Sequence, residues 1–91
     1  MPPLVSMPPR QVQVLYFAAL RDLTGLDGEQ LELPADVRTV ADFLRFIEAA
    51  RPALAGKLAS VRVALDEAFA MDSDALNGAQ VIALIPPVAG G

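Results

Sequence analysis

The chain has 91 residues, 54 % hydrophobic and 20 % charged, with a net charge of −4; that is enough for one small core, and it excludes a wholly disordered chain and a two-domain protein. It contains no Cys and no His, which excludes disulfides, thiolate nucleophiles, zinc fingers and imidazole acid–base catalysis. No run of Lys or Arg marks a nucleic-acid or anionic-membrane surface, and no apolar run approaches the roughly 18 residues of a membrane span.

The opening "MPPLVSMPPR" has no charged region followed by an apolar stretch, so no signal peptide is expected. Its two Pro-Pro pairs predict a flexible, extended N-terminal arm over 1–10. A cytoplasmic location is the expectation for a chain of this kind. "QVQVLYFAA" alternates, with Val12, Val14 and Tyr16 on one side and Gln11, Gln13, Leu15 and Phe17 on the other, which predicts a strand over 11–17. "ALRDLTG" reads as a short helical turn with Gly25 as its C-cap. Asp27-Gly28 is a turn signal. A second strand follows, with Leu31 and Leu33 on one face, Glu32 on the other and Pro34 closing it.

The clearest element comes next. Thr39 is an N-cap, and Asp42, three residues on, stands where a capping box places its acid. Val40, Phe43, Leu44 and Ile47 form one apolar stripe of a helix, with Asp42, Arg45 and Glu48 on the wet side. Arg51-Pro52 ends it, because a residue before proline avoids helical angles. "SVRVALDEAFAM" predicts a strand with Val61, Val63 and Leu65 on one face, a tight turn at Asp66-Glu67 and a short return strand near Phe69. Asn77-Gly78 is a strong turn, and "QVIALI" is the last strand.

One amphipathic helix has one face to bury, and a sheet is its only partner. The expected fold is therefore α+β: a β-grasp, or ubiquitin-like, roll in which a mixed sheet is covered by one main helix. The first and last strands are its central, parallel pair. The domain is expected over 11–86, followed by an extended C-terminal tail over 87–91.

"VLYFAALRDLTG" near the start and "ALIPPVAGG" at the end resemble the small, sulfur-carrying subunits of molybdopterin synthase. The resemblance implies a carrier that is not an enzyme on its own and binds no cofactor. An E1-like enzyme, using ATP, would adenylate the carboxylate of Gly91. A sulfur donor would convert it to a thiocarboxylate. The tail of Pro86, Pro87, Val88, Ala89 and Gly90 would thread into a large catalytic subunit, in a heterotetramer, and deliver the sulfur to cyclic pyranopterin monophosphate. The residues suit that role in their own right. Two glycines carry no Cβ and pass a narrow channel. Pro86 and Pro87 have no N–H, so strand pairing stops before them. From Pro87 to Gly91 an extended chain reaches roughly 13–14 Å. The last four residues are expected to be disordered in the free chain. Two departures from the family pattern stand out: seven residues instead of six between Gly78 and Pro86, and Leu65 where Asn often precedes the hairpin.

Leu15 and Phe17 are expected on the face away from the helix, and by the ubiquitin register Val81, Ala83 and Ile85 join them while Ile82 and Leu84 point inward. These residues form either a docking surface or a second small core. Arg21 meets an acidic group of a partner, or Asp22 or Glu29 in solvent. Asp66, Glu67, Asp72 and Asp74 read as solvated turn residues without metal-ligand spacing. A carrier for thiamine or tRNA thiolation and a non-catalytic β-grasp binding module are the competing functions.

Overall fold

In the computed structural model, which describes residues 10–87, the alternation of Val12, Val14 and Tyr16 builds strand β1 (Arg10–Tyr16), with all three side chains buried. β1 starts one residue before the expected 11, because Arg10 pairs with Leu33. It stops one before the expected 17. Ala18, at φ 51 and ψ −124, turns the chain into helix α1 (Ala19–Thr24), and Phe17 is left beyond the strand. Gly25, at φ 75, closes α1 by donating its N–H to the Arg21 carbonyl.

Gly28 opens strand β2 (Gly28–Leu33) and does not sit in a turn as the Asp27-Gly28 pair suggested; it lies opposite Leu15. Glycine is needed for space: a Cβ here would stand 2.7 Å from the Val14 carbonyl oxygen and 3.0 Å from the Leu15 side chain. Since the nearer atom is backbone, Gly28→Ala must push two paired strands apart. It should cost about 1–3 kcal/mol. A urea-unfolding midpoint equal to wild type would contradict this reading of the hairpin.

Helix α2 (Val40–Ala50) begins with the expected capping box. The Asp42 N–H donates to Thr39 Oγ1 and the Thr39 N–H to Asp42 Oδ2, both at 3.1 Å. Val40 and Ala41 donate their N–H groups to the carbonyls of Asp74 and Asp72, which ties the 71–76 loop to the first turn. Val40, Phe43 and Ile47 are buried; Leu44 packs at the margin, and so does Phe46, which the predicted stripe did not include. Arg51 leaves the helix at φ −129 before Pro52, and the 3-10 turn Pro52–Leu54 buries Leu54.

Strands β3 (Arg62–Leu65), β4 (Ala68–Ala70) and β5 (Val81–Ile85) complete a sheet in the order β2-β1-β5-β3-β4. Val61, expected in β3, lies just ahead of it. β5 runs parallel to β1, and every other pair is antiparallel. This is the α+β β-grasp roll. Its core lies between the inner sheet face and α2, with Ile82 and Leu84 fully buried in it. The seven-residue spacing before Pro86 introduces no bulge, since β5 pairs in unbroken register with both neighbours. Ala79 and Gln80 link the turn at Asn77 (φ 50) and Gly78 (φ 74) to the start of the strand. Leu65 is a strand residue, and the left-handed position that favours Asn or Asp is Asp66, at φ 47.

Glu29 is not a surface partner of Arg21. The Tyr16 hydroxyl donates to Glu29 Oε2 at 2.6 Å and Arg51 Nε donates to the same oxygen at 2.8 Å, while Arg51 Nη2 pairs with Oε1. Three residues far apart in sequence thus bind β1, β2 and the end of α2 together. The hydrogen bonds from Arg51 hold the Glu29 carboxyl below its usual range, against the opposing pull of burial. Burial, followed by Glu29, pushes the Tyr16 hydroxyl well above its ordinary value. For a carboxyl with a depressed folded pKa, the stabilisation is present above the unfolded value of about 4.3 and is lost as pH falls through the folded value. Glu29→Gln should therefore lower stability at neutral pH and flatten the acid limb of the stability profile. Tyr16→Phe, which removes one hydrogen bond to a charged group, should cost about 1.5–3 kcal/mol. An acid limb in Glu29→Gln as steep as wild type would contradict the assignment.

Candidate functional site

Alternation that sends Val14 and Tyr16 inward sends Leu15 outward, and the sheet register carries that outer row across four strands. Leu15 lies opposite Ala83, Ala83 opposite Ala64, and Ala64 opposite Phe69. Two residues either side of Ala83, Val81 and Ile85 share its face. Phe17, just past β1, donates its backbone N–H to the Leu84 carbonyl at 3.3 Å and so stays beside β5.

Side-chain size turns this face into a groove. The two alanines in the middle form a floor, and Leu15, Phe17, Phe69 and Ile85 stand as walls. Together with Val81, Asp66 and Glu67 they enclose ≈480 Å³. Ala83, expected on the outer face, is there, but its walls leave it only 9 % exposed. Phe17 is 43 % and Phe69 65 % exposed, and Met71 beyond them is 73 % exposed. These residues close no second core. They leave contiguous apolar surface, which marks interaction sites more often than it occurs by chance.

The two ends of the groove carry opposite charge. Because β3 is antiparallel to β5, the Asp66-Glu67 turn sits by Val81 at the start of β5, and Arg62 pairs with Ile85 at its end. The Arg62 guanidinium lies 5.1 Å from the centre of the Phe69 ring, a cation–π contact. Asp66 accepts hydrogen bonds from the N–H groups of Gln80 and Val81, the latter at 2.9 Å, so it fixes the entry to β5 and is not the purely solvated turn residue expected. Asp74 likewise accepts from the Met71 N–H at 2.7 Å.

Leu15, Phe17, Val81, Ala83 and Ile85 are thus brought together. Arg21 is not among them. It is exposed on α1, 3.6 Å from Asp27, a different solvent-side partner from the Asp22 and Glu29 considered above. Beyond Ile85 the ladder ends as Pro86 and Pro87 require, and Pro87 is exposed. Val88, Ala89, Gly90 and Gly91, like residues 1–9 of the N-terminal arm, lie outside the described residues. Among the described residues no helix is long and apolar enough to cross a membrane, and no three His, Cys, Asp or Glu side chains are grouped to hold a metal ion.

Sequence reasoning missed Arg62, Ala64 and Phe69. The signal was available: a two-residue turn at Asp66-Glu67 makes Leu65 face Ala68 and Ala64 face Phe69, so a Val63 that points inward obliges Phe69 to point outward.

Comparison with known proteins bears on what this groove and tail are for. The model of the ThiS family matches residues 14–91. A molybdopterin synthase sulfur carrier subunit from Chlamydomonas reinhardtii is 36 % identical over 83 residues, covering 89 % of this chain and 99 % of that protein. The crystal structure of the archaeal modifier SAMP1 from Haloferax volcanii superposes with a TM-score of 0.76 at 26 % identity, over 90 % of this chain and 100 % of that one. A chain in the complex of subunits 1 and 2 of molybdopterin-converting factor from Helicobacter pylori gives a TM-score of 0.58 at 25 % identity, over 90 % and 100 %.

Proposed function

The chain belongs to the ThiS family, and on that premise we propose that it is the sulfur carrier subunit of a molybdopterin synthase, with the Gly91 carboxylate as the group that carries the sulfur. A terminal carboxylate, with a pKa of about 3.5, is ionised at neutral pH and a poor electrophile. An E1-like adenylyltransferase activates it with ATP, releasing pyrophosphate and leaving AMP as a good leaving group on the carbonyl carbon. Sulfur supplied at the sulfide level by the donor protein attacks the carbonyl carbon, AMP departs, and the sulfur, released from the donor, remains as a thiocarboxylate that is softer and more nucleophilic than the carboxylate it replaced. The large catalytic subunit takes the tail and moves the sulfur to cyclic pyranopterin monophosphate, in a cytoplasmic heterotetramer without nucleic acid or membrane. ATP is consumed by the activating enzyme, and this chain needs no cofactor of its own.

The observation that carries this reading is that the apolar groove and the root of the tail are continuous. Ile85 walls the groove and is the last residue of β5, and Pro86 and Pro87 lead directly from it. A partner seated on the groove therefore holds the tail at a fixed distance from its own active site. The Helicobacter pylori complex, in which a chain of this fold is bound to a second subunit, supports a large-subunit partner here.

The test is reconstitution with the activating enzyme, ATP, a sulfur donor, the large subunit and cyclic pyranopterin monophosphate. Formation of molybdopterin that depends on this chain is expected. Sulfur reaching only a thiamine precursor or tRNA would give the chain a different acceptor. Binding to the large subunit with no sulfur ever attached would reduce it to a binding module.

A further inference from the structure

The Asp66-Glu67 turn places two consecutive non-glycine residues at positive φ, 47° and 76°. A two-residue hairpin turn of this kind favours Asn or Asp first and Gly second. Asp66 has a local reason to be there, since its carboxylate accepts the N–H groups of Gln80 and Val81. Glu67 has none. At the position that asks for glycine it holds a left-handed conformation, it makes no hydrogen bond or ion pair among the described residues, and it is exposed at the rim of the groove. Backbone strain kept without a structural return is a pointer to function.

We propose that Glu67 is a specificity-determining residue of the docking surface: the partner that fills the groove with apolar side chains also sets a Lys or Arg over the Glu67 carboxylate. This rests on the docking role given to the groove above. Three features favour a basic contact at this end. The Asp66 carboxylate is already engaged by backbone, so Glu67 is the free charge. The groove floor of Ala64 and Ala83 lies beside it and offers a low-dielectric wall against which a charge pair is felt more strongly than in open water. Among the described residues, the cation on this face, Arg62, is at the opposite end, stacked on Phe69, and leaves Glu67 unneutralised. The polarity along the groove, acid beside Val81 and base beside Ile85, would orient the partner so that the tail enters it from the Arg62 end.

Binding kinetics of the full chain to the molybdopterin synthase large subunit test this, with wild type, Glu67→Gln, Glu67→Lys, Glu67→Gly and Phe17→Asp. Rim charges act on the association rate and its salt dependence. Glu67→Gln, which keeps side-chain shape and backbone strain, should slow association about threefold at low ionic strength, and Glu67→Lys about tenfold or more. Both differences should shrink towards none at about 1 M salt, where the Debye length is about 3 Å. Glu67→Gly removes charge and strain together, so it should hold or raise the unfolding midpoint while associating as slowly as Glu67→Gln. Association of Glu67→Gln and Glu67→Lys at the wild-type rate, with binding lost in Phe17→Asp, would overturn the role of Glu67 and leave the groove standing. A wild-type chain that does not bind the large subunit would overturn the docking reading and this inference with it.

Discussion

Deleting Gly91, or adding one residue after it, should abolish sulfur transfer and leave the unfolding transition where it was. In the proposed mechanism the chemistry acts on the Gly91 carboxylate alone, and the residues after Ile85 set its distance from the proposed docking groove. One residue more or less moves that group by roughly 3.3–3.6 Å, and a misplacement of about 1 Å can already cost a hundredfold in rate. Stability is untouched because the core ends with Leu84 and the groove with Ile85, both well before the change. Molybdopterin formation in the reconstituted system and a thermal melt of the same sample measure the two halves separately. Normal product formation by the Gly91-deleted chain would contradict the carrier mechanism.

Phe17→Asp and Ile85→Asp should each weaken binding to the large subunit by several kcal/mol. Phe17 is half-exposed on the groove wall and Ile85 is its counterpart on β5. In a complex each would be covered, so the aspartate loses the apolar burial and also places a carboxylate where water has been removed. The unfolding midpoint should move little for Phe17→Asp, since the residue lies past β1 and outside the core. Titration calorimetry against the large subunit checks the affinity. Wild-type affinity in both variants would show that the groove is not the contact.

Much of this fold is legible in residue order because its local signals agree with one another. The Thr39–Asp42 box, the α2 stripe, the alternation in β1 and the wholly apolar β5 each point to the same roll; the buried positions Val12, Val14 and Tyr16 follow from period, whereas Ile82 and Leu84 follow from the ubiquitin register, since β5 has no polar residue to mark its faces. Three things were not legible, for different reasons. The Tyr16–Glu29–Arg51 cluster joins residues 13 and 22 positions apart, and only the hairpin and the helix end bring them together. Gly28 looks like a turn glycine in sequence. Its real constraint is the neighbouring Val14 carbonyl, which only the strand pairing reveals. The groove's far wall depends on Phe69 in a three-residue strand, too short for a period to show, and on two alanines whose role is to be small. Arg21 drew attention because it follows Phe17 in sequence, yet α1 carries it away from the groove to Asp27.

The intact mass of this chain, followed through one reaction cycle, tests the central claim most directly. With the activating enzyme, ATP and the sulfur donor, the account predicts a mass gain equal to one oxygen exchanged for sulfur, located on the C-terminal peptide that ends in Gly91. Adding the large subunit and cyclic pyranopterin monophosphate should return the mass to its starting value as product appears. A mass that never changes, or a sulfur that stays on the chain while product forms, would contradict it.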